Sequence, residues 1–412
     1  MTTAINNLEH FIQRKKVRKV LIGFLCFCFI FLFQIFFYVT DFNILYVISK
    51  IVIGVIGSLV FFIYFIRILI KRNLPKYSWY LVLSFFALVI LSASTSNYYF
   101  HQPFLLGVIA QVKLNAIFYF FLVLAILKAY RVTLKELETT FIWLGIGFVV
   151  LYILINIFVN PIKYWTPYSS IVVHDSKGYR FRLPDVFVSI FTFYSFRKFL
   201  QQGKFWMLMG FLLSLAYILI FSKERAYMGC VGAVLGLVIF FRAHLVTKIA
   251  LVSLGLVAIV WLSTGGWEDI TSDVDTTSLD VRYTTSTVAY GFISSDIMHF
   301  VVGGGNLNEL WDGGFARIYG QNFYLSDIGW VGVDYEFGLI GVLICLSLYF
   351  LIFYELNTFI KYNKLILILA FRDFVLMRFM LSVLSPAIPY FIGIFTSLLA
   401  ICVYLRLYLK SS

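Results

Sequence analysis

Long apolar runs, separated by short polar connections, fill almost the whole chain. They cover about 20–39, 51–70, 78–95, 113–130, 140–159, 184–200, 205–222, 227–241, 248–263, 331–354, 365–384 and 388–405. Most approach the roughly 20 residues that a helix needs to cross a hydrocarbon core. Inside lipid, a helix is the simplest segment that satisfies all its own backbone polar groups. The pattern therefore predicts an all-α polytopic membrane protein of about twelve transmembrane helices. Residues 1–412 form a single integral membrane domain. Two connections break the rhythm: a basic loop over 160–183, and a large loop over 264–330 that is the longest polar stretch in the chain.

Composition sharpens this reading. Hydrophobic residues make up 61% and charged residues 13%, whereas soluble domains are roughly half apolar and a quarter charged. The net charge of +13 raises the question of nucleic acid. The cations are spread over many short connections rather than one face, which argues against it. Their spread instead sets orientation. Most lie on connections that share a side with the N-terminus, whose cluster includes Arg14, Lys15, Lys16, Arg18 and Lys19. The positive-inside rule puts both termini in the cytoplasm and both long loops outside. Val20–Val39 is too long for the core of a cleavable signal and reads as a first anchor. The five cysteines all fall in apolar runs and read as small core fillers.

Candidate chemistry gathers on the outer side. Lys177, Arg180 and Arg182 lie in the basic loop, where the orientation rule disfavours cations. Guanidinium groups there suit a phosphate, or simply a basic loop touching headgroups. Ser222-Lys223-Glu224-Arg225 forms a polar turn between two apolar runs, with Arg225 opening the returning helix. Arg282, within an amphipathic stretch Ser278–Phe292, stands among carboxylates. It serves as a structural pair or a phosphate clamp. Gly303-Gly304-Gly305 permits close backbone approach. Asp327 precedes the next span, a low-dielectric place for a general base, or for an acid favouring a helix start. Asp334 and Glu336 lie deeper and should face a polar cavity or meet a cation such as Arg225 or Arg282. Lys113, Arg372, Asp373 and Arg378 fall in or near apolar runs. Either the run boundaries lie elsewhere or these residues line an aqueous route, and an interfacial helix is the favoured reading. Asp273-Val274-Asp275 is the only metal-like spacing and reads as chance in so acidic a loop. No nucleotide-binding loop or cofactor motif is present.

In this order, the four outer features resemble the O-antigen polymerase and ligase superfamily of bacterial membrane glycosyltransferases. The resemblance runs from about Tyr164 to Tyr354. Its elements are Tyr179-Arg180-Phe181-Arg182, the turn ending at Arg225, Ser278 through Arg282, and Gly338-Leu339-Ile340-Gly341. It implies a GT-C-like fold with one large extracytoplasmic loop in the bacterial cytoplasmic (inner) membrane. It implies a metal-independent, inverting transfer of a glycan from undecaprenyl diphosphate to another lipid-linked repeat unit. That would build O-antigen, capsule or exopolysaccharide, with a chain-length regulator as protein partner. Arg180, Arg182, Arg225 and Arg282 would hold the diphosphate, and Asp327 would be the base. The ligase branch carries a His in the large loop. Asp327, or Gln321-Asn322 in a second register, stands in its place, which favours polymerase over ligase. A lipid-linked glycan flippase is the rival of a different class. Such transporters show broken helices and polar residues at mid-membrane depth, of which the sequence offers little beyond Lys113, Arg372 and Asp373.

Overall fold

The computed structural model describes residues 2–33, 43–71, 75–165, 172–175, 178–181, 183–222, 224–242, 276–320, 323–362, 365–383 and 388–411. The helices are α1 (Thr2–Leu32), α2 (Asn43–Lys71), α3 (Ser78–Phe100), the short α4 (Phe104–Ala110), α5 (Tyr119–Ala129) and α6 (Leu134–Phe158). A 3-10 segment, Val112–Phe118, leads directly into α5. Then come α7 (Val186–Gln202), α8 (Phe205–Ala216) with a π-helical extension Tyr217–Ser222, and α9 (Arg225–Arg242). After the undescribed 243–275 follow α10 (Thr276–Ser295), α11 (Ile297–Val302), α12 (Phe315–Tyr319), α13 (Gly329–Tyr362), α14 (Ile366–Leu381) and α15 (Ile388–Ser411).

Among the described residues, six helical stretches are long and apolar enough to cross a membrane: Ser78–Phe100, Val112–Ala129, Leu134–Phe158, Phe205–Ser222, Leu325–Ile360 and Ile388–Leu407. The runs beginning at 20 and 51 fall in the long helices α1 and α2, those at 184–200, 227–241 and 365–384 form the shorter α7, α9 and α14, and the run 248–263 lies outside the described residues. The basic loop departs from an all-helical reading. Val172–Asp175 (β1) and Gly178–Phe181 (β2) pair antiparallel, with Asp175 opposite Gly178. Val172 and Phe181 are buried at its base beside Val159 and Leu183.

Burial ranks the helices. In α7, every residue from Val186 to Arg197 is buried. A helix buried all round is a core helix, and α6, α8 and α14 pack on it. Gly145 of α6 lies against Phe191 so closely that a Cβ there would overlap the ring. By contrast, α8 keeps Phe205 and Trp206 exposed, as a peripheral helix does. The start of α6 is specified locally. The Thr133 hydroxyl accepts from the Glu136 backbone N–H at 3.3 Å, and the Glu136 carboxylate accepts from the Thr133 N–H at 2.7 Å. That is a capping box, and it satisfies two otherwise orphaned donors.

The expected interfacial helix for the central charges is overturned. Helix α14 is buried in the bundle, and its charges are paired. Arg197 Nη2 donates to Asp373 Oδ1 at 2.8 Å, Arg372 lies 3.6 Å from the same oxygen, and Arg378 pairs with Asp185. Lys113 Nζ lies 2.7 Å from both Glu336 oxygens. Charges in low dielectric are tolerated when paired and hydrogen-bonded. Partners from distant helices supply what a single segment cannot.

Candidate functional site

At the end of the bundle that carries the two long loops, the features singled out in the sequence fall into two groups. On one side, Arg180 stands on β2, and its Nη1 donates to the Ser222 carbonyl at 2.7 Å. That carbonyl belongs to the last residue of the π-helical turn, three positions before Arg225. The basic loop is thus docked on the helical hairpin. Arg225 is the first residue of α9, as the sequence predicts, and only its backbone position is described. Arg182 lies outside the described residues, as do Lys177, Asp273, Asp275, Gln321 and Asn322.

On the other side, the amphipathic stretch is helix α10, which packs on α13. Its buried positions Thr285, Ala289 and Ile293 recur every four residues. Arg282 lies one turn before Thr285 on the same side and is exposed. Asp327 sits in a 3-10 turn, Leu325–Ile328, just ahead of α13. Its Oδ1 accepts from the Ser326 hydroxyl at 3.2 Å, and it is half-buried.

The glycines act as expected. The Gly304 N–H donates to the Tyr335 carbonyl at 2.6 Å. Helix α13 is broken at Gly338, where φ is 62° and ψ is −173°. A Cβ there would collide with the Val301 carbonyl. Only glycine accepts both the left-handed φ and that approach. The break frees a half-helix, Gly329–Phe337, which carries Asp334 and Glu336 into the bundle.

Glu336 meets a cation, but neither of those expected. Its carboxylate is buried against Lys113, accepts from Gln111 Nε2 at 2.8 Å and from the Tyr390 hydroxyl at 3.3 Å. Gln111 also donates to Ser92 Oγ at 2.6 Å, and Ser92 Oγ accepts the Asn306 backbone N–H at 3.0 Å. The glycine-rich loop is therefore wired to the Lys113–Glu336 pair. Arg378 joins this half to the first. It pairs with Asp185, just past the basic loop, and its guanidinium lies 4.7 Å from the Phe391 ring centroid, next to Tyr390. Neither Lys113 nor Arg378 was assigned a role from sequence. Their position inside apolar runs was the available signal.

No family model and no curated protein matches the chain.

The large loop does contain a histidine, at a position other than the registers weighed from sequence. His299 stacks on Phe292, ring centroids 4.1 Å apart, and meets Tyr99 edge-on at 4.5 Å, and its Nδ1 lies 2.7 Å from Ser295 Oγ. Chemically, the described residues offer the Arg180 guanidinium held by a backbone carbonyl, the exposed Arg282 guanidinium and the half-buried Asp327 carboxylate in a separate group, and buried ion pairs that fix the supporting helices.

Proposed function

We propose that this protein is a membrane glycosyltransferase that polymerises undecaprenyl-diphosphate-linked oligosaccharide repeat units at the extracytoplasmic face of the bacterial inner membrane. In this reading the chain crosses the membrane about twelve times, with both termini cytoplasmic and a GT-C-like arrangement of helices. The observation that carries it is the docking of Arg180 on the carbonyl of Ser222. It brings the basic loop against the turn that ends at Arg225, on the same end of the bundle as Arg282 and Asp327.

The chemistry follows from charge. The leaving diphosphate gains negative charge as the glycosidic bond breaks. Arg180, Arg182, Arg225 and Arg282 offset that charge, the electrostatic role that commonly dominates such sites. Asp327 takes the proton of the acceptor hydroxyl as that oxygen attacks the sugar from the opposite face. The substrate remains anchored in the membrane throughout, so the site belongs at a membrane boundary.

Deletion in the native bacterium tests the reading. Loss of a polymerase leaves surface glycan one repeat long. A mutant that traps lipid-linked repeats on the cytoplasmic side makes the protein a flippase. One that leaves long chains on the lipid carrier makes it a ligase. Arg282→Ala, in turn, abolishes chain growth while the protein remains in the membrane. Full-length glycan from that variant removes Arg282 from the site.

The flippase reading gains a specific observation. The helix broken at Gly338 and the buried Lys113–Glu336 pair are features that transporters use at their binding sites. The deletion phenotype separates the two.

A further inference from the structure

Helix α11 belongs to the longest polar stretch of the sequence, yet its surface is apolar. Asp296 caps it, accepting the Met298 N–H at 3.2 Å. His299 turns inward onto Phe292 and Tyr99, while Ile297, Met298 and Phe300 stay exposed, Ile297 at 75%. Water would charge about 25 cal/mol for each Å² of such surface.

A second apolar element flanks it. Helix α4 follows α3 after a three-residue turn and packs back on it, Gly107 lying against the Cα of Ala93. On its other side Leu105 and Ile109, one turn apart, are exposed, Leu105 at 72%. Tyr98, at the end of α3, is exposed as well, and the neighbouring Tyr99 meets His299 of α11 edge-on. The α3 helix exposes Trp79, Leu83, Phe86 and Ile90 at helical spacing, the stripe of a span facing lipid. Helix α4 packs on this same helix, at Ala93, and α11 reaches it at Tyr99, so both elements adjoin the helix that carries the lipid-facing stripe. From Tyr98 to Val112 there is no Asp, Glu, Lys or Arg, and none from Ile297 to Asn308. Asp296 and Glu309 bracket the second stretch.

We propose that α4 and α11 together seat in the membrane, at the boundary between headgroups and acyl chains on the face where the two long loops emerge. The large loop is then in part a membrane-inserted element. Its Gly303–Gly305 segment, which follows α11 without a break, is held at the bilayer surface. Three properties identify lipid as the occupant: packing against the helix that carries the lipid-facing stripe, absence of charge, and a tyrosine at the margin. This placement is independent of the transfer chemistry above and stands or falls separately from it.

The test uses the full-length chain in vesicles of phosphatidylethanolamine and phosphatidylglycerol. A keto-bearing residue is introduced singly at 297, 298 or 105 and coupled to a nitroxide, which leaves the native cysteines in place. Leu83, on the α3 stripe, and Thr287, exposed on α10, give the lipid and water references. At 297, 298 and 105 the ratio of oxygen to nickel-chelate accessibility matches that at Leu83 and exceeds that at Thr287. A ratio equal to that at Thr287 shows a water-exposed loop and overturns the proposal. Low accessibility to both reagents shows a covering protein, whether a second copy or another partner, and overturns it equally.

Discussion

Lys113 and Glu336 show how a single side chain decides whether a buried charge is tolerable. Glu336 is fully buried, and its oxygens are spoken for by Lys113, Gln111 and Tyr390. Removing one partner leaves a charge in low dielectric with no counterion. Such losses cost about 3–5 kcal/mol, whereas exchanging both partners for apolar groups of similar volume is often neutral. Lys113→Ala and Glu336→Gln each lower the detergent melting temperature strongly. The double variant Lys113→Met/Glu336→Met recovers most of the loss. Equal instability of singles and double refutes the pairing. The sequence placed both residues as charges needing an explanation, but a linear string does not show which cation meets which carboxylate. Glu336 was offered Arg225 and Arg282. It finds Lys113, 223 positions away.

Among the elements, most helices were readable because a span's length and apolarity are set by the bilayer rather than by packing details. The hairpin start at Arg225 and the helix over Ser278–Phe292 were readable too, from a polar turn and from amphipathic spacing. The β-hairpin was not, since Val172–Asp175 and Gly178–Phe181 are four residues each, too short to reveal alternation. Helix α14 was misread because Arg372, Asp373 and Arg378 make it look surface-seeking, while its partners Arg197 and Asp185 stand on another element. The break in α13 was half legible. Gly338 was noted, but that its left-handed φ interrupts the span depends on the Val301 carbonyl packed against it. Gly338→Ala therefore costs at least the roughly 1–3 kcal/mol of a strained backbone, with the steric clash added, and it lowers both melting temperature and activity. Gly147, in the middle of α6 with open space at its Cβ position, gives the opposite sign. Gly147→Ala stabilises by about 0.5–1 kcal/mol. Thermal unfolding of the two variants side by side checks the contrast.

Taken whole, the molecule is held by charge at both ends. At the end opposite the long loops, Glu355 of α13 receives Lys76 at 2.7 Å and Arg406 of α15 at 3.2 Å. Lys198 reaches Glu138 at 2.9 Å. With the cation-rich connections on that end, the proposed topology makes a direct prediction. Reporter fusions in 160–183 and 264–330 score extracytoplasmic, and fusions at 361–364 or after 410 score cytoplasmic. The reverse pattern inverts the assignment of the candidate site to the outer face.

The long-range ion pairs also bear on how the chain is made. Lys113 precedes Glu336, Asp185 precedes Arg378 and Arg197 precedes Asp373 by well over a hundred residues in each case. A ribosome finishes the first member of each pair long before the second exists. Until then the early helices carry uncompensated charge and are poor candidates for release into lipid. The insertion machinery must keep them beside its aqueous channel until α13 and α14 arrive, so nascent chains that stop short of those two helices should be extracted and degraded rather than accumulate as stable fragments.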